Sequence, residues 1–165
     1  IVRPLCDLIV ERTPDTDAFV IACYSDPGMA AAREATKRPV FGIAESGMLV
    51  ALTRGERFGV LSILATSIGR HLRYVRALGL SQRFANDRAI GLGVAEMSDE
   101  DKVLSRMIET AKTLRDTDGA DVLILGCGGM ARYRERLQDA VGIPVIEPTQ
   151  AAVTLALGAV RLGQY

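Results

Sequence analysis

Asp17-Ala-Phe-Val-Ile-Ala-Cys23-Tyr-Ser-Asp-Pro-Gly28 and Ala120-Asp-Val-Leu-Ile-Leu-Gly-Cys127-Gly-Gly-Met130 are the stretches that decide the fold. Each opens on a short run of Val, Ile, Leu or Phe, the composition of a strand buried on both faces. Each breaks at a cysteine into a turn of polar residues or glycine and continues as a helix. Each then returns through Pro-Val into a second apolar run: Arg38-Pro-Val-Phe-Gly-Ile-Ala-Glu45 in the first copy, Ile143-Pro-Val-Ile-Glu-Pro148 in the second. Cys23 precedes Pro39 by 16 positions and Cys127 precedes Pro144 by 17. The chain thus carries one pattern twice: strand, Cys, turn, helix, Pro-Val, strand, new helix.

Working outward, Asp26 to Lys37 reads as a helix opened by Asp-Pro, and a second helix runs from about Glu45 to Arg54. Arg57-Phe-Gly-Val-Leu-Ser-Ile63 is a third strand ending in the turn at Thr66-Ser67. A helix follows to Leu78, where Gly79 stops it. Ser81 to Met97 is irregular, with a short strand near Arg88-Ala-Ile90. Ser98-Asp-Glu-Asp101 opens a long helix to Asp116, acidic where the helix dipole favours it. Met130 to Val141 is another helix, and a last one begins near Thr149. The class is α/β: parallel strands with helices on both faces, in two pseudo-symmetric βαβ-based halves with a crevice between them. Two such units in one sheet place each cysteine at a strand's carboxyl end, facing a helix amino terminus, where open α/β sheets bind ligands.

The 165 residues and 17.7 kDa suit a single domain, 1–165, with a substantial core. Twenty basic and twenty acidic residues cancel, so no global field draws the chain to nucleic acid or an anionic membrane. No apolar run is long enough to span a bilayer and no secretory signal pattern appears, which makes the cytoplasm the default location. The first residues, Ile1-Val-Arg-Pro4, lack an initiator Met and read as the continuation of a longer chain. Cys6, Cys23 and Cys127 are odd in number and lack CxxC spacing, so neither a disulfide framework nor a zinc ribbon is expected. Cys6, in a helix-like apolar stretch, reads as a small buried hydrophobe.

Cys23 and Cys127 read differently because they recur at the same point of matched units. The backbone N–H groups and helix dipole at that edge favour a thiolate. Two thiols facing each other across one crevice, one ionised and one not, supply a base on one face of a carbon and an acid on the other. Inverting a carbon acid needs that pair, and the two groups exchange roles for the opposite enantiomer. Charge developing on the neighbouring carbonyl oxygen would meet backbone N–H donors at Gly128 and Gly129 and at the Tyr24-Ser25 turn. Lys37, Lys102 and Lys112 are the only lysines, and none reads as a buried Schiff-base lysine. No phosphate loop, dinucleotide fingerprint or metal-ligand cluster appears. The expectation is chemistry with no cofactor and no metal on a small-molecule carbon acid.

At these segments the chain resembles the hydantoin (or allantoin) racemase branch of the aspartate/glutamate/hydantoin racemase superfamily. Ala22-Cys-Tyr-Ser-Asp-Pro-Gly28, Gly42-Ile-Ala-Glu45, Phe58-Gly-Val-Leu-Ser-Ile-Leu-Ala-Thr-Ser67 and Leu125-Gly-Cys-Gly-Gly-Met-Ala131 carry the resemblance, which covers nearly the whole chain. It implies two catalytic cysteines, mapping onto Cys23 and Cys127, with substrate held by Tyr24, Ser25, Gly128, Gly129, Ser62 and Ser67. It also implies cofactor independence and homo-oligomers. Family members begin with a further strand and an Asn-Pro-Asn-type loop; the segment is missing here, as expected of an incomplete stretch of a longer protein.

Other residues read more blandly. His71, the only histidine, is expected on a helix surface rather than as a base. Asp26 is expected to cap its own helix, Glu45 to cap the next one, and Arg132, Tyr133 and Arg134 to form a solvated helix face. Racemisation of a 5-substituted hydantoin or allantoin leads. Its rivals are racemisation of a free amino acid such as aspartate or glutamate, decarboxylation, a non-catalytic binding module, and thiol redox. The last requires Cα atoms within about 7 Å.

Overall fold

The computed structural model describes residues 1–92 and 99–163. Helix α1 (Val2–Arg12) and a short 3-10 turn (Thr13–Asp15) lead into β1 (Phe19–Ile21), α2 (Met29–Ala35), β2 (Val40–Gly42) and α3 (Ile43–Ala51). Then come β3 (Phe58–Ser62), α4 (Ala65–Ala77), a 3-10 turn (Ser81–Arg83), β4 (Phe84–Ala89) and α5 (Glu100–Asp116). The second cysteine unit follows: β5 (Val122–Leu125), a 3-10 segment (Gly128–Tyr133), α6 (Arg134–Val141), β6 (Val145–Ile146) and α7 (Pro148–Leu162). Among the described residues every strand pair is parallel, in a four-stranded sheet of order β4-β3-β5-β6 and a separate pair β1-β2.

The alternation of side chains along a strand explains the layers. In β5, Leu123 and Leu125 enter a core with α5 and α6, while Val122 and Ile124 enter one with α3 and α7. A strand buried on both sides has to be apolar throughout, and all four residues are fully buried. The β1-β2 pair has its own smaller core of Ile9, Ile21, Met29, Ala32 and Val40, against α1 and α2.

The two cysteine units therefore occupy different sheets, not one. The reason lies in α3, which leaves β2 without a loop and buries Ile43, Ala44, Ser46, Gly47 and Met48 against β5 and α7. With that helix wedged between them, β2 cannot pair with the four-stranded sheet. The crevice lies between two sheets instead of along one edge.

Helix α3 is held by an unexpected cap. Asp26 does not cap α2, which starts only at Met29 after a turn with left-handed Asp26 (φ 41°) and Gly28 (φ 76°). Its buried carboxylate instead reaches α3 and accepts from the backbone N–H of Ala44 (3.0 Å) and Glu45 (2.8 Å). That carboxylate occupies the space a side chain at Gly42 would fill, since a Cβ there would lie 2.1 Å from Asp26 Cγ. Gly42→Ala is accordingly expected to expel Asp26, strand both amides and cost about 2–4 kcal/mol. Thermal melting should register a drop of roughly 5–10 °C; an unchanged melting temperature contradicts the cap.

Other differences are local. Strand β4 is longer than the Arg88–Ile90 segment expected, because Phe-Ala-Asn-Asp-Arg-Ala is polar, as an edge strand tolerates. Helix α5 is capped by Asp99, which accepts from Lys102 N–H; Ser98, expected to open it, lies outside the described residues. Glu147 caps α7 through Thr149 and Gln150, ahead of Pro148 in the first turn. No described helix is long and apolar enough to cross a membrane.

Candidate active site

Cys23 follows the last residue of β1 by two positions, and Cys127 follows the last residue of β5 by two. Both line one crevice of about 460 Å³ at the carboxyl ends of these strands. Tyr24, Ser25, Ser67 and Gly128 share its wall with them, together with Ala22, Ile63, Leu64, Thr66, Arg70, His71 and Gly126. Of the residues expected to hold substrate, Ser62 and Gly129 are not in that wall. Ser62 is fully buried behind it with its hydroxyl 3.3 Å from His71 Nδ1, and Gly129 lies one residue deeper in the turn.

Cys23 is exposed and Cys127 half-buried. The Cys23 sulfur lies 3.3 Å from the Ser25 hydroxyl, within hydrogen-bonding reach. Gly126 places Cys127: a Cβ there would sit 2.9 Å from the Leu61 carbonyl oxygen and 3.1 Å from Ser62 Cα, so only glycine lets β5 leave this close to β3. Cys23 opens the turn before α2, and Cys127 precedes a 3-10 segment whose Gly128 lies against Thr149 in the first turn of α7; the start of α4 lines the crevice through Thr66 and Ser67. The Ser67 hydroxyl is spent on the Leu64 carbonyl at 2.7 Å. Cys6 is half-buried on α1 and outside the crevice.

His71 is not on a helix surface. It is 4% exposed, because β4 presents Asp87 to it from the interior: the carboxylate accepts from Nδ1 at 2.7 Å. The Tyr24 ring meets the imidazole edge-on, centroids 5.1 Å apart. Asp87 escaped the sequence reading; its signal was a charged residue inside a strand too polar to look like one. Tyr24 O–H and Asp87 Oδ1 are both buried without a partner among the described residues. Burial first, then the charges of Asp87 and Asp26, hold the Tyr24 phenol protonated well above its ordinary range.

Burial likewise raises the Asp26 carboxyl, against the lowering pull of the Glu45 and Ala44 amides and Tyr74. The folded state thus binds this proton more tightly than the unfolded chain does. Its contribution to stability declines as pH climbs from the ordinary carboxylate range near about 4 through the raised value. The stability margin of wild type over Asp26→Asn is therefore expected to narrow with rising pH across that window in urea titrations. A widening margin contradicts the assignment.

The remaining candidates are structural. Glu45, in the first turn of α3, pairs with Arg33 at 2.8 Å. Arg132 pairs with Glu100 and Arg134 with Glu135, while Tyr133 is buried. All three lysines are exposed and none lines the crevice. No cluster of three or more potential metal ligands occurs among the described residues.

The family model described as Asp/Glu/Hydantoin racemase matches residues 2–156. The chain belongs to that family. Within it, the chain is 39% identical over 155 residues to a hydantoin racemase of Paenarthrobacter aurescens, covering 93% of this chain and 65% of that protein. It is 40% identical over 144 residues to the hydantoin racemase of Rhizobium meliloti, covering 85% of this chain and 58% of that one. Against the solved allantoin racemase from Klebsiella pneumoniae the TM-score is 0.88 at 33% identity, over 98% of this chain and 66% of the other. The chain thus spans less than two thirds of the length of these two hydantoin racemases. A doubly substituted arylmalonate decarboxylase, at 18% identity and TM-score 0.74 over 97% of this chain and 74% of the other, shares the fold.

Proposed function

We propose that the protein is a cofactor-independent racemase of a 5-substituted hydantoin or a related ring such as allantoin, with Cys23 and Cys127 as its two proton-transfer groups. The observation carrying this is the convergence of two thiols, from equivalent ends of strands in different sheets, on one crevice. The ionised thiol takes the proton from the ring carbon, and the charge passes to the adjacent carbonyl oxygen. The un-ionised thiol on the far side delivers its own proton to the same carbon, inverting it. Acid and base have then exchanged states, ready for the opposite enantiomer. Backbone N–H groups at Gly128 and the Tyr24-Ser25 turn meet the carbonyl oxygen as it gains charge.

The wall chemistry favours a ring over a free amino acid. Ala22, Ile63, Leu64 and Tyr24 offer apolar surface, and Arg70 is the one cation among the described lining residues. A free amino acid would need a cradle for its carboxylate and another for its ammonium. The names of the relatives, hydantoin and allantoin racemases, point the same way. The test is optical: single enantiomers of a 5-substituted hydantoin, given to the full natural protein without added cofactor, should lose rotation to zero from either side. Rotation that holds for hydantoins and allantoin but decays for aspartate or glutamate moves the substrate to the amino-acid branch. Binding without decay for any of them leaves a binding module.

A further inference from the structure

His71 is held on three sides and open on one. Asp87, whose side chain is fully buried, accepts from Nδ1 at 2.7 Å. The Ser62 hydroxyl lies 3.3 Å from the same nitrogen, and the Tyr24 ring packs edge-on at 5.1 Å and 81°. A carboxylate only accepts, so Nδ1 carries the hydrogen, which makes Nε2 the acceptor when the ring is uncharged. No hydrogen bond to Nε2 forms among the described residues, and His71 lines the same crevice as both cysteines. Nε2 is thus left to accept from whatever enters the crevice.

We infer that His71 is a substrate-binding residue whose Nε2 accepts a hydrogen bond from a ring N–H of a cyclic ureide, with Asp87 fixing the tautomer. The inference rests on the racemase reading above and extends it to one bond. The uncharged ring of a hydantoin carries one N–H beside the reacting carbon and a second between its two carbonyls. A neutral acceptor, locked in direction by a buried carboxylate, matches that edge and orients the carbon between the thiols.

Asparagine and glutamine separate this role from a structural one. Asn at position 71 keeps an N–H near the place of Nδ1, for Asp87, but has nothing at Nε2; Gln restores a polar group there. Kinetics of the full natural protein would use one 5-substituted hydantoin and its two ring N-methyl analogues, with melting curves as the check on folding. The expected result is that wild type loses about tenfold in kcat/KM with one of the two analogues. His71→Asn should raise KM for the parent ring about tenfold, leave kcat within about twofold, and lose the discrimination against that analogue, with His71→Gln recovering part of it. Wild-type kinetics equal for the parent and both analogues would overturn the inference without any variant. So would a His71→Asn protein with unchanged KM, or one that retains the discrimination. A wild-type protein that racemises no hydantoin would overturn the racemase reading, and this inference with it.

Discussion

Cys23→Ser and Cys127→Ser are each expected to lower racemisation of a 5-substituted hydantoin by about 10³-fold or more, because each removes one of the two proposed proton-transfer groups. A hydroxyl in the same place holds its proton too tightly to serve as base and yields it too poorly to serve as acid. Both variants should fold: Cys23 is exposed, Cys127 half-buried, and oxygen for sulfur removes little volume. Cys6→Ser is the comparator. Its thiol sits on α1 outside the crevice, so kcat and KM should stay within about twofold of wild type. Equal loss in all three variants would indicate a general thiol effect and contradict the two assigned roles. Full activity in either crevice variant would remove that cysteine from the mechanism.

The second large effect is expected at a residue with no functional group. Gly126 separates β5 from Cys127, and a Cβ there meets backbone atoms of β3, which cannot swing aside as a side chain can. Gly126→Ala should push the end of β5 from β3 by a few tenths of an ångström and carry Cys127 with it. Misplacing a proposed reacting group on that scale is expected to cost up to about tenfold in kcat, while the fold survives with about 1–3 kcal/mol less stability. Gly158→Ala is the matched control: it lies within α7 with open space around its Cβ position, and should gain a few tenths of a kcal/mol with kcat unchanged. A Gly126→Ala protein with wild-type kcat would contradict the close approach of β3 and β5 as what sets Cys127.

The doubled strand-Cys-turn-helix-Pro-Val pattern was legible because parallel strands buried on both faces are written as unbroken Val, Ile and Leu. Both copies fold that way, and β5 spans the four residues that its apolar run marks. The pattern carried no information on which strands pair, and so the expectation of one sheet failed. Pairing is decided by α3, whose small and apolar residues Ala44, Gly47 and Met48 let it pack between the sheets. The same non-local logic hid the His71 environment. Histidine with arginines nearby on a helix looks solvated until a polar edge strand 16 residues later delivers Asp87 to its ring. Asp26 repeats the lesson: Asp-Pro reads as a cap for the next helix, yet its carboxylate crosses to Ala44 and Glu45, 18 and 19 positions away. Local patterns reveal elements, and long-range polar contacts assign their partners. Ser62 illustrates the consequence for the site, being close to it in sequence but turned behind it to bond the imidazole.

The central claim is that two thiols on opposite faces of one carbon exchange its proton. Its most direct test is racemisation by the full natural protein in D₂O, starting from each enantiomer of a 5-substituted hydantoin and stopped early. If one thiol removes the substrate's hydrogen and the other delivers deuterium, the inverted product should carry deuterium at the ring carbon while the recovered starting enantiomer remains largely protiated, from either direction. Equal deuterium in recovered substrate and product from the first turnovers would mean one group serving both faces, and would contradict the two-thiol account.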